Sequence, residues 1–156
     1  MYKDLDWDYP FRCQLLIRPE SLGSEEIIMT WGRCIPSSLA GTHVGFRSDD
    51  GTIYGTVGDG SSESIVEIKS NISEGVNYYL EFVYQPSEYV EFRTRNDPKA
   101  RLTSNLPSGS TGKPNQVPHM LIQDNAGSDK EVKVGHFAPY RGLKDEIMGQ
   151  SGTDVQ

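Results

Sequence analysis

Thr42-His43-Val44-Gly45-Phe46-Arg47, Ser48-Asp49-Asp50-Gly51 and Thr52-Ile53-Tyr54-Gly55-Thr56-Val57 follow one another without a break, and their reading decides the fold class. Val44 and Phe46 alternate with His43, Gly45 and Arg47, while Ile53 and Val57 alternate with Tyr54 and Thr56. Successive side chains of a β-strand point to opposite faces, so a period of two marks a strand with one apolar face. Asp50-Gly51 between two such runs is a strong signal for a tight hairpin. The stretch is predicted to be two antiparallel strands.

The same period extends in both directions. Toward the N-terminus, Phe11, Cys13, Leu15 and Ile17 alternate with Arg12, Gln14 and Arg18 until Pro19 ends the run. After Glu20-Ser21-Leu22-Gly23-Ser24, Ile27, Met29 and Trp31 alternate with Ile28 and Thr30, and the two runs read as a hairpin. Toward the C-terminus come Ser64–Ile68 and then Asn77–Tyr84, with Tyr78, Leu80, Phe82 and Tyr84 on one side and Tyr79, Glu81 and Val83 on the other. Gln85-Pro86-Ser87-Glu88 turns the chain into Tyr89–Thr94. With Phe82 facing Phe92, Glu81 lies opposite Arg93 and Val83 opposite Glu91. A slip of two residues sets Glu81 against Glu91, a disfavoured like-charge pair, so the first register is predicted. Arg101–Thr103, His119–Ile122 and Glu131–Phe137 read as further strands, and Asn105–Gln116 as a surface loop. About ten short strands without a convincing helical period mean an all-β sandwich or barrel. Residues 1–142 are expected to form one domain, with 1–10 as an N-terminal arm and 143–156 as a C-terminal tail.

The bulk composition narrows the function. At 156 residues, 35% hydrophobic and 24% charged, the chain has the size and make-up of one globular domain. No run approaches the roughly 20 apolar residues that span a bilayer, so membrane insertion is not expected. The start, Met1-Tyr2-Lys3-Asp4, has no basic and apolar leader pattern, so nothing points to export. A net charge of −7 argues against nucleic acid as the partner, because phosphate binding rests on clustered cations. Arg93, Arg95, Lys99 and Arg101 read either as a local basic patch or as a charged strand edge that blocks pairing. Cys13 and Cys34 fall on neighbouring predicted strands; a disulfide and two small buried thiols are both open, with the reduced state expected.

His43-Val44-Gly45-Phe46, Asp50-Gly51-Thr52-Ile53-Tyr54-Gly55-Thr56, Asp59-Gly60-Ser61, Tyr79-Leu80-Glu81-Phe82, Val90-Glu91-Phe92 and Leu102-Thr103-Ser104-Asn105-Leu106-Pro107-Ser108-Gly109 follow a family-like order. Over about residues 11–141 the chain resembles the concanavalin A-like jelly roll of legume-type lectins, laminin G-type domains and laminarinase-type glucanases. The variants it is most similar to are domains of structural proteins of tailed phages and related viruses. The resemblance implies an antiparallel two-sheet jelly-roll β-sandwich. One departure stands out: where the second strand of the late hairpin usually ends in an Asp-Gly turn, this chain has the longer Arg93-Thr94-Arg95-Asn96-Asp97-Pro98.

Each candidate for chemistry has a plainer reading beside it. The glucanase branch carries two carboxylates in an "E-x-D-x-x-E" string flanking the scissile bond; Glu88-Tyr89-Val90-Glu91 lacks that pattern and reads as strand-edge glutamates. Asp4-x-Asp6-x-Asp8 starts like a calcium loop but has Tyr9 where glycine belongs and Leu15 where the closing glutamate belongs. Asp49, Asp50 and Asp59 could offer calcium oxygens at a loop end, or serve ordinary turns. Gly109-Ser110-Thr111-Gly112-Lys113 fails as a phosphate loop, with Pro107 and Pro114 at critical places. Asn71-Ile72-Ser73 is a glycosylation sequon. His43, His119 and His136 lie on separate strands and read as hydrogen-bonded strand residues rather than metal ligands.

What remains is a surface. With Val44, Phe46, Ile53, Val57, Leu80, Phe82, Val90 and Phe92 in the core, His43, Arg47, Tyr54, Tyr79, Glu81, Tyr89, Glu91 and Arg93 take the outer sides of their sheets. Tyrosines there could stack on sugars or anchor a protein partner. The expectation is a non-catalytic module of a larger assembly, a viral or phage particle surface being the best setting, as a decoration, cementing or appendage protein that self-associates or binds other structural proteins. The alternative is a lectin-like carbohydrate-binding domain, and the third reading a divergent glycan-cleaving enzyme dependent on Glu81 or Glu91. No cofactor is expected beyond the calcium option.

Overall fold

A computed structural model describes residues 7–20, 26–32, 41–109, 119–123 and 131–141. Its strands are β1 (Phe11–Pro19), β2 (Glu26–Gly32), β3 (His43–Asp49), β4 (Thr52–Gly58), β5 (Glu63–Lys69), β6 (Tyr78–Gln85), β7 (Tyr89–Thr94), β8 (Ala100–Leu102), β9 (His119–Gln123) and β10 (Val132–Arg141). They form two five-stranded antiparallel sheets, β10-β1-β6-β7-β8 and β5-β4-β3-β2-β9. The chain is an all-β jelly-roll sandwich. Among the described residues no helix is long and apolar enough to cross a membrane.

The Asp50-Gly51 hairpin is as expected: both residues have positive φ, and Val44 pairs with Val57. The β6–β7 register is the one chosen on charge, with Phe82 opposite Phe92, Glu81 opposite Arg93 and Val83 opposite Glu91. The β1–β2 hairpin is corrected. β1 is flanked by β10 and β6, and β2 by β3 and β9, so the two consecutive strands lie in different sheets. Alternation marks which face of a strand is apolar, and that face can be covered by a strand of the opposite sheet as well as by one linked in sequence. The premise that Cys13 sits beside the strand leading to Cys34 falls with it. Cys13 is a buried free thiol, and Cys34 lies outside the described residues. β10 runs on through Pro139, which pairs with Cys13; as an edge strand it tolerates a residue without an N–H.

The core is aromatic. Phe82 of the first sheet stands 5.0 Å from Trp31 and 5.9 Å from Phe46 of the second, ring centre to ring centre. Within its own sheet it lies 5.4 Å from Phe11 and 6.4 Å from Phe92. Tilted and edge-on arrangements of this kind are the favourable ones for aromatic pairs. Trp7, in the stretch read as an arm, is 1% exposed and packs edge-on to Tyr84. The Tyr84 hydroxyl lies 2.7 Å from the carbonyls of both Trp7 and Pro107, which share its single proton as acceptors, so the Leu106-Pro107 bend is tied to the sandwich. The outward side chains are thereby held on two stiff, opposed surfaces.

Candidate ligand-binding face

Alternation places Arg12 and Gln14 of β1, Tyr79, Glu81 and Val83 of β6, and Tyr89, Glu91 and Arg93 of β7 on the outer side of the first sheet. Gln14 pairs across the sheet with Glu81, and Glu81 with Arg93. These pairings assemble a hydrogen-bonded network. Glu81 Oε2 accepts from Arg12 Nη2 at 2.8 Å, Gln14 Nε2 at 3.1 Å and the Tyr79 hydroxyl at 3.2 Å. Its Oε1 lies 3.7 Å from Arg93 Nη1. Glu91 accepts from Arg93 Nε at 2.8 Å and from Arg101 Nη2 at 2.7 Å. The Arg101 guanidinium lies 4.0 Å from the centre of the Tyr89 ring, and that of Arg95 5.9 Å from the Tyr79 ring.

The electrostatics follow. Burial would raise Glu91, but hydrogen bonds from Arg101 and Arg93 outweigh it and hold the carboxyl below its usual range. Burial, then the neighbouring Glu81 charge, pushes the Tyr79 phenol up to about 12. Both carboxylates are thus committed to arginines, and the phenol keeps its proton at neutral pH. The face holds hydrogen-bonding groups in fixed positions, and Glu91 is kept as the carboxylate.

The remaining predicted residues lie on the outer side of the second sheet, facing away from this network. His43 Nδ1 bonds the Gly41 carbonyl, and its Nε2 lies 2.9 Å from Thr56 Oγ1. Thr56 Oγ1 donates to Glu63 Oε1 at 2.7 Å, and Glu63 pairs with Arg47 at 3.2 Å. Tyr54 pairs with Arg47 across β3–β4. The eight predicted site residues therefore divide five and three between opposite faces. His43 is fully buried and holds the sheet together; on the first sheet Arg12, Gln14, Glu81, Tyr89 and Glu91, read from the sequence as outward, are buried as well, which leaves Tyr79 and Arg93 as the half-exposed members of that face.

The three aspartates weighed as calcium ligands are not brought together. Asp49 and Asp50 sit at one end of β4 and Asp59 beyond the other, a strand length of about 20 Å apart at roughly 3.3 Å per residue. Asp59 Oδ1 instead accepts from the backbone N–H of Ser61 and Ser62, at 2.7 and 2.8 Å. Among the described residues no cluster of three or more metal-ligating side chains occurs. Asp4 and Asp6 lie outside the described residues, as do Ser110–Lys113, and nothing is described of the His119 and His136 side chains.

Sequence reasoning did not single out Arg12, Gln14, Glu63 or Lys69. The alternation in β1 did mark Arg12 and Gln14 as outward; their role needs the knowledge that β6 is their neighbour. Within the long Arg93–Pro98 segment, Thr94, Arg95, Asn96 and Asp97 form a wall. Together with Leu16 and Asn77 it borders an open cleft of about 560 Å³ at the Tyr79 end of the face.

No protein-family model matches the chain, and a search of curated proteins finds no match. Solved structures share the sandwich. A family 7 alginate lyase, A1-II′, in complex with its substrate is 15% identical with a TM-score of 0.59, the match covering 89% of this chain and 63% of the lyase. Sheep galectin-11 is 13% identical with a TM-score of 0.57, over 88% of this chain and 95% of the galectin. Botulinum neurotoxin type C, which interacts with two ganglioside molecules, is 10% identical with a TM-score of 0.59, over 97% of this chain and 37% of the toxin chain. The chain thus spans less than two thirds of the lyase and of the toxin. At these identities the likeness is one of fold alone, a two-sheet jelly-roll sandwich.

Proposed function

We propose that this chain is a non-catalytic binding module that engages a glycan through the outer face of its first sheet. The observation that carries the reading is the accessible trio of Tyr79, Arg93 and Arg101, held in place from beneath by the buried carboxylates of Glu81 and Glu91. Sugar recognition uses such pre-positioned donors and acceptors beside aromatic surface. The likeness to a galectin and to a ganglioside-interacting toxin supports the same reading, and the lyase likeness points to the same class of ligand. Against turnover by Glu81 or Glu91 stands the commitment of both carboxylates to arginine partners.

The test is titration with neutral and acidic oligosaccharides, using variants on both faces. Arg93→Ala and Tyr79→Ala should lose binding, while Tyr54→Ala on the opposite face should retain it. Flat titrations across the whole series, or equal loss with Tyr54→Ala, would overturn the reading. A place on a viral or phage particle, with self-association or other structural proteins as partners, is the wider proposal. Its measure is solution mass together with recovery from assembled particles, and a strict monomer found on no particle would end it.

A further inference from the structure

The cleft beside Tyr79 is locally positive. Its charged lining consists of Lys69, Arg95 and Asp97, which leaves one net positive charge on a chain whose total is −7. Lys69 Nζ is engaged by Asp97 Oδ1 at 2.8 Å. Asp97 is held in turn by Thr94, whose hydroxyl donates to Asp97 Oδ2 and accepts from the Asp97 N–H. The wall of the cleft is therefore a built turn with one ion pair closed within it. Arg95, two residues from Asp97, is exposed and has no carboxylate partner among the described residues; its contact is with the Tyr79 ring, which orients it over the cleft. Leu16 and Val76 supply apolar surface, and the Asn77 and Asn96 amides supply both donors and acceptors.

A guanidinium is a planar fork of donors matched to a carboxylate, and a charge-assisted pair of this kind is stronger than a neutral hydrogen bond. Amides and a tyrosine edge beside it suit the hydroxyls and ring of a sugar. Resting on the glycan-binding reading above, we infer that this cleft takes a carboxylated sugar, with Arg95 on the carboxylate and Asn77 and Asn96 on neighbouring hydroxyls. The segment that builds it, Arg93–Pro98, is the one that departs from the usual Asp-Gly turn, so acid selectivity is a property of this chain's own loop.

The experiment compares acidic oligosaccharides with uncharged counterparts on the full chain, by calorimetry: trigalacturonate against its carboxyl-reduced form, and sialyllactose against lactose. At least one acidic member should bind roughly tenfold more tightly than its counterpart, the size expected of one charge-assisted pair. Arg95→Ala should erase that difference, and Arg95→Lys should retain part of it. Added salt should weaken the acidic member more than the neutral one. Equal affinity for acidic and neutral members overturns the cleft assignment and leaves the glycan-binding reading standing. An acid preference that survives Arg95→Ala also overturns it. Absence of binding to all four probes overturns both.

Discussion

Phe92 of the first sheet fills the space that a side chain on Gly55 of the second would need. A Cβ added at Gly55 would lie 2.5 Å from the Phe92 ring carbons. Gly55 points inward on β4 between Ile53 and Val57, so the missing side chain is what lets the two sheets close over the ring. Because the neighbouring rings of Phe46 and Phe82 stand 5.6 and 6.4 Å away, Phe92 has little room to turn aside.

Gly55→Ala is therefore expected to destabilise the fold by about 1–3 kcal/mol, the range for overpacking a closed core. Urea denaturation measures it, and Phe92→Leu on the Gly55→Ala background should recover part of the loss. An unchanged midpoint for the single variant would mean the sheets do not meet as described.

Arg12 and Glu81 form a nearly buried pair, with 3% and 6% of their side chains exposed. Removing one charge leaves the other in a poorly solvated place, so Glu81→Gln is expected to cost about 3–5 kcal/mol. Replacing both, Arg12→Met with Glu81→Met, should cost clearly less than the two single changes summed. A double-mutant cycle by chemical denaturation gives the coupling.

Burial holds the His43 imidazole below its ordinary value of 6.5, against the opposing pull of the Gly41 carbonyl and the Glu63 charge, while Arg47 adds to the lowering. A depressed imidazole binds its proton less readily in the folded chain than in the unfolded one. Its contribution to stability is whole above about pH 6.5 and declines as pH falls from there toward the folded value. His43→Gln is expected to be less stable at neutral pH yet to lose less on acidification. Denaturation curves at several pH values between about 7.5 and 5.5 test this, since His119 and His136 are common to both proteins. Equal pH slopes would remove His43 from the account.

Burial likewise pushes the Cys13 thiol far up. The thiolate is the reactive form, so Cys13 should resist alkylation in the native protein at about pH 8 and react once the chain is unfolded. Peptide mapping after iodoacetamide distinguishes Cys13 from Cys34; rapid native labelling of Cys13 would contradict its burial.

Ten strands, the Asp50-Gly51 turn and the Glu81–Arg93 register were legible from periodicity and charge alone, because each depends on residues a few positions apart or on a single hairpin. The site was legible only in part. Tyr79, Glu81, Tyr89, Glu91 and Arg93 were marked as outward and do gather on one face, since β6 and β7 are joined by a short turn. His43, Arg47 and Tyr54 carried the same mark but belong to the opposite surface.

The amino-acid order by itself thus determined which segments are extended and which side of each is apolar, through local steric and hydrophobic preferences. Only the tertiary structure decided which strands lie side by side: that β1 leaves β2 for β10 and β6, that Arg12 and Gln14 reach Glu81, and that the Arg93–Pro98 loop becomes the wall of a cleft. The physical reason is that strand pairing is set by how two whole sheets bury one shared core, a condition that no short window of sequence contains.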